Sequence, residues 1–108
     1  MKTSDLIEKL NGKGVVVANE CREIVTGYCG DFLSFVMGKA PADCAWFTVM
    51  TNINVAAVAS LADVSAVVIC ENCVPSDELV LKAQIQHINI ITTKLDVFQA
   101  VMKAFNAN

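Results

Sequence analysis

The chain has 108 residues, of which 55% are hydrophobic and 18% charged, and its net charge is −3. That length suits one core and excludes a second sizeable domain, while a charged share below the about 25% of a typical domain leaves apolar surface that is expected to meet another chain. The basic residues are scattered from Lys2 to Lys103, which argues against a nucleic-acid patch, and the longest apolar stretch, residues 55–70, is broken by Ser60, Asp63 and Ser65 before it reaches membrane-spanning length.

In chain order, Met1-Lys2-Thr3-Ser4-Asp5 turns polar at once without a signal-peptide hydrophobic region, so a cytoplasmic protein is expected. Residues 3–10 read as a short helix: Asp5 and Glu8 stand at capping-box spacing, Leu6, Ile7 and Leu10 form an apolar stripe, and Asn11-Gly12 stops it. Residues 15–18 are a continuous apolar run that suits a strand buried on both faces. After a polar corner at Asn19 and Glu20, residues 22–26 form a second extended stretch, and residues 26–30 a glycine-containing turn. A helix over residues 31–37 follows, ended by Gly38 and Pro41. Strands are predicted over residues 45–50, 66–70 and 89–92, alternating with helices over residues 54–63, 76–86 and 94–105. Ser76 after Pro75 is a helix cap, and Thr93 and Asp96 have capping-box spacing. Leu95, Phe98, Met102 and Phe105 predict one buried stripe on the last helix. This alternation gives an α/β fold: layered, with a mostly parallel sheet flanked by helices and right-handed crossovers.

Two helices are apolar nearly all round, through Phe32, Leu33, Phe35, Val36 and Met37 in one and residues 55–62 in the other. A helix of that kind is buried all round, which predicts a homodimer or higher homo-oligomer whose interface contains one or both. The alternative is that small alanines let the second helix pack closely on the sheet with nothing else involved.

Glycines ahead of a helix start let backbone N–H groups converge, and the helix N-terminus adds partial positive charge, so residues 22–31 are a candidate anion site. A plain turn is the competing reading. The stretch Arg22-Glu23-Ile24-Val25-Thr26-Gly27-Tyr28-Cys29-Gly30-Asp31, continued by Phe32-Leu33-Ser34-Phe35-Val36-Met37-Gly38, resembles the DRTGG domain. The opening residues 1–10 and the run Thr51-Asn52-Ile53-Asn54-Val55-Ala56-Ala57-Val58-Ala59 support the resemblance, which extends over essentially the whole chain. DRTGG domains form the N-terminal domain of HPr kinase/phosphorylase, lie within some phosphotransacetylases, stand beside CBS domains, and occur as free-standing small proteins, the type most similar here. Cys21 stands where the name-giving Asp would be, Arg22 keeps the Arg, and Thr26 and Gly27 keep the Thr-Gly. The resemblance implies a regulatory or ligand-sensing module of α/β layered fold, without catalytic activity, that often assembles into dimers or larger species. It also implies a role in phosphate or energy metabolism, with free-standing relatives alongside hydrogenase and electron-transfer systems.

The kinase activity of HPr kinase belongs to a separate domain with a phosphate-binding loop. Gly12-Lys13-Gly14 lacks that loop's upstream Gly and its Ser or Thr after the Lys, which disfavours phosphoryl transfer. The planar fork of Arg22 suits a phosphate or carboxylate, and a surface ion pair with Glu20 or Glu23 is the other reading. Thr51, Asn52 and Asn54 follow a strand and precede a helix, the place where open α/β sheets bind ligands; Thr51 or Asn54 could equally cap that helix. The expected site is one crevice formed by Arg22, Thr26, Gly27, Thr51, Asn52 and Asn54. It would hold a small anionic ligand, a nucleotide or phosphorylated metabolite, or a protein partner, with no cofactor and no metal.

Two other readings compete with this one. The chain could be an interaction-only scaffold for a metabolic or redox complex. It could also be a thiol redox or metal protein using Cys70 and Cys73, whose C-x-x-C spacing closes a strand instead of opening a helix, a poor place to activate a thiol. A metal would need further ligands from Cys21, Cys29, Cys44 or His87, none in a second close pair. His87 reads as a helix-end residue and Asp63 as a helix-end or turn residue.

Overall fold

Two runs of apolar residues without a polar interruption form the centre of the sheet, and amphipathic helices cover it on both sides. The computed structural model describes residues 1–106. In chain order the elements are α1 (Thr3–Lys9), β1 (Lys13–Val16), β2 (Thr26–Cys29), α2 (Leu33–Lys39), β3 (Cys44–Thr48), α3 (Asn54–Ala62), β4 (Ala66–Ile69), α4 (Asp77–Gln86), β5 (Ile90–Thr92) and α5 (Val97–Phe105). The five strands lie in the order β1-β5-β4-β3-β2. β2 to β5 run parallel, and β1 closes one edge antiparallel to β5 with Lys13 opposite Thr92. This is the expected α/β fold with a mostly parallel sheet. Among the described residues no helix is long and apolar enough to cross a membrane.

Every residue of β3 and β4 is buried, as a parallel sheet covered on both faces requires. Alternate side chains feed two cores. Trp46, Val67, Ile69 and Ile90 pack beneath Val36 of α2, Val55, Val58 and Ala59 of α3, and Leu79 and Ala83 of α4. Phe47, Val68 and Ile91 point the other way, to Leu6 of α1 and to Ala100 and Ala104 of α5. Ser76 caps α4 as expected, its hydroxyl accepting from the Leu79 N–H at 3.1 Å.

Several local expectations are corrected. β1 starts at Lys13 and ends at Val16, so Val17 and Ala18 lie outside it; a register irregularity between Gly14 and Val16 interrupts the pairing. The strand enters the sheet directly after α1 because Gly12 has no side chain: a Cβ there would stand 2.8 Å from the Thr92 carbonyl oxygen. Of the stretch expected over residues 22–26, residues 22–25 contribute only an isolated bridge between Lys2 and Glu23, and Thr26 to Cys29 is a strand, not a turn. Gly27 is small for a packing reason, since a Cβ would meet the Phe105 ring at 2.8 Å and the Phe47 ring at 3.4 Å.

The last helix starts later than expected, at Val97, with Asp96 as its cap accepting from the Gln99 N–H at 2.7 Å. Thr93 turns inward and its hydroxyl donates to the Leu10 carbonyl. The helix does not bury Leu95, Phe98, Met102 and Phe105 as one stripe. It seats Ala100 and Ala104 on the sheet, with Val97 and Val101 beside them, and leaves Phe98 74% exposed. Alanine brings the helix backbone closer to the sheet than phenylalanine could, so the small face wins the contact.

The two all-apolar helices divide. In α3, Val55, Ala56, Val58 and Ala59 are buried within the chain, the alanine reading, with Leu61 exposed. In α2 only Val36 is fully buried, while Phe35 and Met37, and Phe32 at the helix cap, remain exposed. The Phe32 and Phe35 rings lie 5.0 Å apart.

Candidate functional site

The predicted site residues fall at two opposite ends of the sheet. β2 is parallel to β3, with Thr26 opposite Cys44 and Cys29 opposite Phe47. Thr26 and Gly27 therefore stand at the N-terminal end of the parallel strands, with Arg22 just before them. Thr51, Asn52 and Asn54 follow the C-terminal end of β3. The single crevice expected from these six residues is corrected to two separate places, because the Thr-Gly pair opens a strand instead of following one.

At the N-terminal end, one Arg22 nitrogen, Nη2, donates to Asp43 Oδ1 at 3.2 Å, Asp63 Oδ1 at 3.0 Å and the Asp63 carbonyl at 2.9 Å. The expected partners Glu20 and Glu23 are replaced by these two carboxylates; Glu23 pairs instead with the amino terminus at 3.4 Å. Asp43 and Asp63 lie directly before β3 and just after α3, both in the left-handed region at φ 63° and 56°. Such a backbone costs a non-glycine residue free energy, and the guanidinium holds both in place. Buried Asn89 continues the stitching by donating to the carbonyls of Asn19 and Ser65 and accepting from the Asn19 N–H. Arg22 is thus engaged in tying three segments together.

At the C-terminal end the loops are arranged around Asp31, whose Oδ1 accepts from the Thr48 hydroxyl at 2.7 Å and the Val49 N–H at 2.9 Å. Asp31 fastens the β2–α2 connection to the end of β3, and the Trp46 indole donates to the Gly30 carbonyl beside it. The Asn52 side chain accepts from the Asn54 N–H at 2.9 Å. The Thr51 carbonyl accepts from the Ser76 N–H, linking this loop to the start of α4. Neither Thr51 nor Asn54 caps α3 through its side chain; Asn52 orders the approach to it.

Cys70 to Cys73 forms a tight turn, with the Cys73 N–H donating to the Cys70 carbonyl at 3.2 Å and with Glu71 and Asn72 at φ 63° and 58°. Two positive-φ central residues are the mark of a type I′ turn. Burial pushes the Cys70 thiol up to about 12, with Cys29, Glu71, Asp96 and Asp31 adding in the same direction. That opposes thiolate chemistry. Among the described residues no group of three His, Cys, Asp or Glu could hold a metal ion.

Beside this turn the surface opens into a cavity of about 330 Å³ between β1 and the start of α4, continued by a second of about 210 Å³ over the sheet rim. Lys13, Asn72 and Thr92 line both. Sequence reasoning missed this place: Gly12-Lys13-Gly14 drew attention only as a defective phosphate loop, and Lys94 carried no signal.

The chain is therefore a layered α/β domain with three helices on one face, two on the other, and an open C-terminal rim. No family model matches its sequence, and no curated protein matches it. Its structure is similar, at a TM-score of 0.76, to the crystal structure of the CBS and DRTGG domains of the regulatory region of Clostridium perfringens pyrophosphatase complexed with an activator, diadenosine tetraphosphate. The two are 15% identical, and the match covers 92% of this chain and 44% of that one. The chain thus spans less than half the length of this neighbour, and the likeness is one of fold: a DRTGG-like α/β domain.

Proposed function

We propose that the chain is a regulatory module without catalytic activity that binds a small anionic ligand, a nucleotide or phosphorylated metabolite, and self-associates. The observation that carries this reading is the fold shared with a pyrophosphatase regulatory region that binds a nucleotide activator. The ligand belongs at the C-terminal rim, the end where open α/β sheets bind ligands, which retains Thr51, Asn52 and Asn54 as candidates. At the opposite end Arg22 and Gly27 hold the fold, and Thr26 opens β2. Self-association is supported by Phe32 at the cap of α2, Phe35 and Met37 within it, and Leu61 on the adjoining α3, exposed by 63%, 57%, 52% and 74%. Ligand binding would regulate by favouring one assembly state, in proportion to its differential affinity for the two. The free cysteines suit a reducing, cytoplasmic setting.

A protein partner is the second reading, favoured by Phe98 and Met102, exposed by 74% and 48% on α5. A thermal-shift screen of the reduced chain against nucleotides, phosphorylated metabolites and simple anions separates the two. A ligand at 100 times its Kd adds about 2.7 kcal/mol, which moves the midpoint by roughly 10–20 °C in a domain of this size. A shift with one compound class supports the ligand-binding reading. Silence across the panel contradicts it and leaves the protein partner.

A further inference from the structure

We infer that the ligand's seat is the groove between β1, the start of α4 and the Cys70–Cys73 turn, and that it takes a nucleoside phosphate. This rests on the ligand-binding reading above and adds the site and the chemical class.

The topology creates the groove. Because β1 is antiparallel to β5, its first residue, Lys13, reaches the same rim as the C-terminal ends of the parallel strands. The cavity of about 330 Å³ there falls within the roughly 300–1,000 Å³ usual for small-molecule sites. Its walls are apolar, from Val15, Val74, Pro75 and Val80. Val74 is 79% exposed, so no other part of the described chain covers this wall. The adjoining cavity of about 210 Å³ is polar and cationic, lined by Lys94 together with the shared Lys13, Asn72 and Thr92.

An occupant matched to both cavities is apolar at one end and anionic at the other, a chemistry that a nucleoside phosphate has. The base would lie against Val15, Val74 and Val80, and the phosphates between Lys13 and Lys94. Asp77 also borders the apolar cavity. A carboxylate there accepts from a base amino group or a ribose hydroxyl and repels phosphate, which fixes the direction of binding. The ion pairs of the described residues are those of Arg22 and of the amino terminus, so both lysines are available to an anion. The turn is held rigidly: the Asn72 N–H donates to the Thr93 carbonyl and the Glu71 N–H to the Leu95 carbonyl, so the Asn72 side chain is presented at the junction of the two cavities.

The test is a titration of the isotope-labelled full chain with ATP, adenosine and inorganic phosphate, followed by amide resonances. ATP is expected to shift Lys13, Asn72, Val74, Thr92 and Lys94, and to bind more tightly than adenosine or phosphate. Lys13 and Lys94 are exposed, so Lys13→Ala and Lys94→Ala keep the fold; each is expected to weaken ATP roughly tenfold by removing one charge-assisted hydrogen bond. Shifts centred on residues 51–54, with both variants binding as the parent does, would overturn the groove while leaving a ligand-binding module. Adenosine or phosphate binding as tightly as ATP would overturn the nucleoside-phosphate class. No response to any of the three probes would overturn the inference, and the broader panel would then judge the ligand-binding reading separately.

Discussion

Arg22→Ala is expected to cost stability and leave ligand affinity unchanged. The side chain is 28% exposed and its carboxylate partners are 52% and 70% exposed, so each ion pair is worth about 0.2–1 kcal/mol after solvent screening. The bond from the charged guanidinium to the Asp63 carbonyl adds about 1.5 kcal/mol, the low end for a charged donor, because that carbonyl keeps the Asp43 N–H as a second partner. The sum is about 2–3.5 kcal/mol, which lowers the Tm by roughly 8–28 °C at about 4–8 °C per kcal/mol. Urea unfolding followed by the fluorescence of fully buried Trp46 measures the loss, with the m-value expected to stay constant. Arg22→Lys should recover only part of it, since the shorter lysine side chain brings its ammonium short of the position from which Nη2 makes all three contacts. An unchanged urea midpoint would refute the clasp. Weakened ATP binding at unchanged stability would return Arg22 to a ligand site.

Gly27→Ala places a methyl group 2.8 Å from the Phe105 ring and is expected to cost about 1–3 kcal/mol through overpacking. In a Phe105→Ala background the cost should largely vanish, and an undiminished cost there would locate the role of Gly27 elsewhere. Burial holds the Cys44 and Cys70 thiols at about 11 and about 12, against 9.0 for an unperturbed thiol. The folded chain keeps these protons more tightly than the unfolded one, so their contribution is complete below pH 9 and is lost as pH rises from 9 towards 12. The urea midpoint should fall over that window and fall less steeply in Cys70→Ala; equal slopes in parent and variant would contradict this.

The core of the fold was legible because its cause is local. Residues 44–47 and 66–69 are apolar without interruption and lie in the two fully buried strands, and Ser76 beside two acidic residues becomes a cap. What misled were residues whose role depends on a distant partner. Gly27 reads as a turn until the Phe105 ring is known to lie on it. Phe98 and Met102 outrank Ala100 and Ala104 on any hydrophobic scale, yet close approach to the sheet decides which face is buried. The site was misjudged for a topological reason: the residues beside a strand are visible in the sequence, but which end they occupy follows from the register of Thr26 with Cys44. Lys13 and Lys94 come to one groove only because β1 reverses direction against β5.

The coupling of ligand occupancy to assembly is tested most directly by sedimentation velocity of the reduced chain across a concentration series, with and without saturating ATP. The account predicts reversible association that Phe35→Asp weakens, and an association constant that ATP changes in the parent. Linkage then requires ATP affinity to differ between the free and the associated chain, in a homodimer by a per-site factor whose square is the change in the association constant. An association constant identical in the presence and absence of bound ATP, or a chain that stays monomeric at every concentration in both, would contradict it.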